Sequence, residues 1–437
     1  MGKGKLPGFQ RKNPDLVLLA LLGFLSPLFI FPRPGRTWIF LLVPFVLLWK
    51  CRREKRFFRR TLLDLAVALL MVQVLVTCFV VMDLDFSLSK ISGVLYGVLL
   101  FYALVGVLDS GERIKLVVGI FVIGTALLII ISFSGMMFTQ ETFVRESYSA
   151  IEEAMAGWKK LSPLVDFHLP GAEEGFNANA VAGTALLGLP IVLLCPLIFW
   201  RRKGRKVGGS LEKEDTGKKI LRRVSLFFLW GVFILILFLT QSIGSWLALV
   251  AAFWLVAFAA GWKKKGLIAA TLLVLIVISF PGERVEKNDG QTWLTRKWET
   301  RKPLVMIGLA VVKERPLTGI GINQLRKLTM IEYRRSHAHN HFIHTAAELG
   351  IPALVAYFSI LIGAGFMCVK VWRKSRDEFM RMTVLALGAG QVAHFIFGLG
   401  DSIPLGAKPG VLFWISLALI TGIYNYEMSK KKDKDLR

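Results

Sequence analysis

The run Ser336-His337-Ala338-His339-Asn340-His341-Phe342-Ile343-His344 gathers four of the chain's six histidines. Imidazoles two and three residues apart can converge on zinc, and a neutral imidazole can take a proton from an attacking hydroxyl. The zinc reading lacks a cysteine or a His-Glu-x-x-His partner, and the nearest carboxylate, Glu348, stands a helical turn beyond His344. A third reading leaves the histidines as interfacial side chains without chemistry. The stretch from Gly282 to His344 carries twelve Lys and Arg against six Asp and Glu. Nearby cations favour the neutral imidazole that a base requires, and guanidinium groups grip phosphate oxygens two at a time. The residues point to acid–base chemistry beside a phosphate-bearing substrate.

The elements that must hold these residues are set by composition. Of 437 residues, 54% are hydrophobic, and 55 Lys and Arg against 30 Asp and Glu give a formal charge of +25. Apolar runs of about 20 residues, each long enough to cross a hydrocarbon core of roughly 30 Å, follow one another along the chain. That excludes a soluble domain and makes nucleic acid a poor explanation for the charge. About twelve helices are expected, at 15–31, 37–50, 61–82, 91–108, 116–133, 179–200, 224–241, 243–261, 266–280, 346–369, 382–399 and 409–427. Threaded from a cytoplasmic N-terminus, short basic segments such as Cys51-Arg52-Arg53-Glu54-Lys55-Arg56 fall inside, as the positive-inside rule requires, and both termini are cytoplasmic. The basic start followed by an apolar run reads as an uncleaved first span. Cys51, Cys78, Cys195 and Cys368 lie in or beside spans, so no disulfide framework is expected. The fold expected is an all-α polytopic membrane protein with an external helical subdomain. Its parts are spans 1–5 at 1–133, an external loop at 134–178, spans 6–9 at 179–281, the large basic loop at 282–344, and spans 10–12 with a basic tail at 345–437.

The basic loop runs against the positive-inside rule, and loops of this length are functional or disordered. Trp293, Trp298, Tyr333 and a helix-like stretch from Pro303 to Val312 favour a folded unit. Around Glu152-Glu153 the other external loop reads as an amphipathic helix on the membrane. Membrane-embedded Asp64, His394 and Asp401 are functional candidates on principle. They are few, which weighs against a proton-coupled transporter. Asn179, at the entrance to a middle span, is expected to cap that helix or to bind sugar hydroxyls. Gly319-Ile320-Gly321 does not continue into a dinucleotide-binding motif, because Gln324 takes the third glycine's place.

Arg301 followed by Met306-Ile307, then Arg315-Pro316-Leu317-Thr318-Gly319-Ile320-Gly321, then His339-Asn340 with nine residues before Gly350-Ile351-Pro352, resembles the signature region of the bacterial O-antigen ligase and polymerase superfamily. Asn177-Ala178-Asn179-Ala180 resembles the family's entrance to a middle span. The resemblance implies a metal-independent glycosyltransferase without a cofactor. It would move a glycan from undecaprenyl pyrophosphate to an acceptor hydroxyl, of lipid A-core or of another glycan, at the periplasmic face of the inner membrane. Carried over by motif, His339 is the general base and Arg301 a pyrophosphate ligand, with Arg315 a further pyrophosphate-binding candidate. His337, Asn340, His341 and Asn179 are supporting candidates. Ile243 stands where the family often has an arginine, so Arg284 or Arg296 is expected to take over part of that role. Ligase, polymerase and, in another class, a transporter or flippase of an anionic lipid all stay open. The expected partners are the lipid-linked donor, the acceptor and membrane lipid, with no nucleic acid.

Overall fold

The computed structural model describes residues 14–30, 42–136, 176–200, 206–207, 210–211, 216–240, 242–259, 261, 293–333 and 338–435. Within them the chain is helical: α1 Pro14–Ile30, α2 Leu42–Glu54, α3 Asp64–Val80, α4 Leu84–Val107, α5 Gly111–Ser134, α6 Ala178–Trp200, α7 Thr216–Leu239, α8 Ile243–Ala259, α9 Trp293–Glu314, α10 Gln324–Tyr333, α11 His341–Lys374, α12 Glu378–Gly398 and α13 Gly410–Asp435. A two-residue antiparallel pairing, Lys206–Val207 with Ser210–Leu211, is the one strand pair among the described residues. Five helices are long and apolar enough to cross a membrane: α4, α5, α11, α12 and α13 as far as Lys430. Shorter apolar helical stretches fill five more of the expected positions, α2 falls on a sixth, and the interval 266–280 lies outside the described residues. The architecture is therefore that of an all-α membrane protein, with five spans of full length where sequence windows suggest about twelve. The helix expected around Glu152 also lies outside the described residues.

Packing follows from which faces are apolar on more than one side. α4 runs against α1 and α13, α11 crosses α3, and α12 lies against α6 and α8. The main core takes Phe101, Tyr357, Trp414 and Ile420 from α4, α11 and α13, while Ala248, Ala389, Ala393 and Phe397 let α8 approach α12 closely. Asp15 of α1 and Lys50 of α2 form an ion pair with both side chains about 1% exposed. Sequence windows put both residues at span edges and so understate paired charge inside the bundle. Each charge is tolerable there because it has the other, and removing either alone leaves an uncompensated buried charge. Cys51, Cys78 and Cys368 are free thiols.

The segment that positions the histidines is a broken helix. In a continuous α11, the Ala347 carbonyl would accept from the N–H of Ile351 and the Glu348 carbonyl from residue 352, which is Pro352 and has no N–H. Gly350, at φ 82° and ψ 166°, breaks the helix there. The loop Arg315–Gly321 supplies the missing partners. Ile320 N donates to Ala347 O at 3.0 Å, Gly321 N to Glu348 O at 2.9 Å, and Ile351 N turns instead to Pro316 O at 2.7 Å. A Cβ at Gly350 would come within 2.4 Å of Leu317 O, and one at Gly319, φ 63°, within 2.5 Å of the Glu348 backbone. The glycines of the family-like motif thus join a loop to a helix break. Gly350→Ala is expected to cost about 1–3 kcal/mol from the positive φ alone, with the clash added. Thermal unfolding in detergent, against Gly365→Ala in open space on the same helix, reads this directly; equal midpoints for the two variants would remove the argument.

Candidate active site

α11 begins where it does because Asn340, at φ −148°, caps it. Its Oδ1 accepts from the N–H groups of Phe342 and Ile343, both at 3.0 Å. His339 precedes the cap with φ 49°, a left-handed conformation uncommon outside glycine, asparagine and aspartate. That turn holds the His339 ring away from the helix, in a half-buried position where Nδ1 lies 3.3 Å from Oδ1 of Asp401. Asp401 is buried at the end of α12, and its Oδ1 also accepts from the N–H of Ser402 at 2.8 Å.

Four side chains from the basic region converge on this short α12–α13 connection. Besides His339 on Asp401, Arg301 Nη1 donates to Gly400 O at 2.9 Å and Asn340 Nδ2 to Leu399 O at 3.2 Å. His341 places Nδ1 3.3 Å from Ser402 Oγ. The sequence flags Asp401 only as an ionisable group near a span end, and gives no reason to select Leu399, Gly400 or Ser402. The available signal is the break Gly398-Leu399-Gly400-Asp401-Ser402-Ile403-Pro404, polar and punctuated by glycine and proline between two apolar helices.

The other expected residues take different places. Arg315 stands apart from Arg301: it follows the last residue of α9 and lies fourteen positions on, a rise of about 21 Å along the helix axis. It is exposed, and its carbonyl accepts from Gly319 N at 2.9 Å, a turn-forming role. Asn179 is not the cap of α6. Asn177 is, with Oδ1 accepting from Asn179 N at 2.9 Å and Ala180 N at 3.4 Å, because a cap must stand before the first turn whose N–H groups it serves. Asn179 sits half-buried in that first turn, one turn from Gly183, which packs on Phe397 and Ile403 beside the Asp401 loop. His341 does not face the same space as His339. It is 1% exposed and packs among Tyr357 and His394, ring centroids 5.0 and 5.8 Å away. His344 pairs inside the bundle with Glu348, Nε2 to Oε2 3.3 Å. Asp401 sets a carboxylate next to the His339 ring. Arg284 and His337 lie outside the described residues, as does the side chain of Arg296 on α9. Among the described residues, no three of His, Cys, Asp and Glu cluster as a metal site.

An imidazole with one nitrogen set against a buried carboxylate is the arrangement of an oriented general base. An arginine anchored one residue away from that carboxylate adds a fixed positive charge. Residues 226–358 match the family model described as O-Antigen ligase. The match supports the O-antigen ligase and polymerase superfamily. The O-antigen ligase match takes in α8, α9, α10, the Arg315–Gly321 loop and α11 past its break, hence Arg301 and His339 but not Asp401. No curated protein matches the chain.

Proposed function

We propose that this protein is a ligase-type membrane glycosyltransferase, taking a glycan from undecaprenyl pyrophosphate and joining it to an acceptor hydroxyl of lipid A-core. The observation that carries the reading is the His339–Asp401 pair beside Arg301, inside and next to the segment that matches the O-antigen ligase family. With Nδ1 held toward Asp401, the His339 Nε2 lone pair takes the proton of the acceptor hydroxyl as its oxygen attacks the anomeric carbon. The bond from that carbon to the pyrophosphate oxygen breaks, and the lipid pyrophosphate leaves. The imidazolium that forms faces the Asp401 carboxylate. Arg301 spends Nη1 on Gly400, and its remaining N–H groups serve the charge growing on the leaving group. The step needs no metal, because the leaving group is already stable and the side chains supply position and charge.

The orientation belongs to the same reading. Arg52 and Arg53 close α2, and Arg373 and Lys374 close α11, at the end opposite His339. The positive-inside rule puts those ends in the cytoplasm and the site at the periplasmic face of the inner membrane, with both termini inside.

Purified protein in detergent, given undecaprenyl-pyrophosphate glycan, lipid A-core and excess chelator, is expected to glycosylate the acceptor. Arg301→Gln is expected to lower that rate by about 10²-fold, the scale of losing one donor to a developing charge. Longer lipid-linked glycan without acceptor product would move the assignment to a polymerase. The absence of any new covalent product from an intact donor would return it to transport.

A further inference from the structure

A second cluster of positive charge stands at the same end of the bundle, on residues the proposed chemistry does not use. The first turn of α10 is tied to the start of α4: Ser87 Oγ donates to Ile322 O at 2.6 Å, Asn323 Nδ2 to Phe86 O at 2.8 Å, and Gln324 Nε2 to Ser87 Oγ at 2.8 Å. Lys327 closes the same contact on Asp83 at 3.0 Å. Asp83 also caps α4 by accepting from Phe86 N, and that bond, with Lys327, holds its carboxyl below the ordinary range. Asp83 is thereby committed. Lys90 follows Ser87 by three residues, on the same face of α4. From the other side the α12–α13 connection packs onto it so closely that a Cβ at Gly406 would stand 2.0 Å from Lys90 O. That brings Lys408, on the exposed rim, toward Lys90.

Among the described residues, the charges of Arg326 and Lys408 and the carboxylate of Glu348 all act on Lys90. Glu348 is itself engaged by His344. Lys90 forms no ion pair among the described residues, and the enclosed Nε of Arg326 has no hydrogen-bond partner among them. Cations gathered around a half-buried position repel one another, and the repulsion is relieved when an anion binds between them. Guanidinium and ammonium groups set at an angle suit the oxygens of a phosphate.

We propose that Lys90, Arg326 and Lys408 bind a phosphate group carried by a lipid, at a site separate from Arg301. The source is either an isoprenyl pyrophosphate, which rests on the glycosyl-transfer reading, or a bilayer phospholipid, which does not. Binding is measured in detergent by calorimetry with farnesyl pyrophosphate as the probe, in an Arg301→Gln background that removes the arginine the proposed mechanism sets on the leaving group. Adding Lys90→Gln or Arg326→Gln is expected to weaken binding about tenfold or more. Lys90→Arg and Arg326→Lys, which keep the charge and guard against misfolding, are expected to retain most of it, and Lys374→Gln at the far end of α11 all of it. Displacement of the probe by inorganic pyrophosphate but not by phosphatidylglycerol assigns the site to the isoprenyl substrate; displacement by phosphatidylglycerol at equal concentration assigns it to the bilayer. Equal affinity in the Gln variants and their parent overturns the site. The readout does not involve transfer, so an inactive protein that still binds through Lys90 and Arg326 removes the proposed function and leaves this site standing.

Discussion

His339→Asn is expected to lose glycan transfer by about 10²–10⁴-fold, the range a positioned general base contributes, while the protein remains folded and inserted. Asparagine is the informative replacement because His339 has φ 49°. Asparagine tolerates the left-handed region better than alanine, so the turn before the α11 cap survives and the base alone is removed. His339→Ala should be as inactive but should also melt lower, since alanine pays for that backbone without an imidazole to hold it against Asp401. Comparing transfer rates with thermal midpoints separates the two effects. An Asn variant that transfers glycan at the wild-type rate would end the role of His339 as base, whatever the family match.

The site is unevenly legible in the sequence, and the reasons are local. Apolar windows place the helices well because each needs only its own composition, and α4, α5, α11, α12 and α13 fall on expected intervals. The helix-like stretch from Pro303 extends in the structure to Trp293–Glu314, with Pro303 inside it. Proline there reads as a first helical residue, and only the surrounding packing can offset the hydrogen bond it removes. That extension is what parts Arg301 from Arg315: a motif compact in sequence is stretched along a helix, and its two arginines serve different ends. The Gly319, Gly321 and Gly350 positions, legible as a pattern, gain a meaning only when Pro352 is seen to orphan the Glu348 carbonyl that Gly321 then satisfies. Asp401 is the least legible of these residues in the sequence. It lies 62 positions after His339, across two apolar helices, and no period or spacing in the chain links them. What joins them is the antiparallel return of α12 along α11, a tertiary fact.

The two groups should therefore act as one unit, and that is testable beyond either single change. Asp401→Asn keeps the size of the side chain and an oxygen at Oδ1 for both the Ser402 N–H and His339 Nδ1, but removes the charge facing the imidazolium. The expected loss is about 10²–10⁴ in kcat with a much smaller change in KM, since the interaction strengthens only as the proton moves. Asp401→Ala should also loosen the connection that Arg301, Asn340 and His341 hold, so a lower thermal midpoint is expected of it and not of the Asn variant. The decisive comparison is the double variant His339→Asn with Asp401→Asn. If the carboxylate works through the imidazole, the double variant is no slower than His339→Asn alone, because the orienting group has nothing left to orient. If the two losses multiply, Asp401 acts on substrate independently of His339, and the pair seen at 3.3 Å is a contact of neighbours with no shared role in the proton's path.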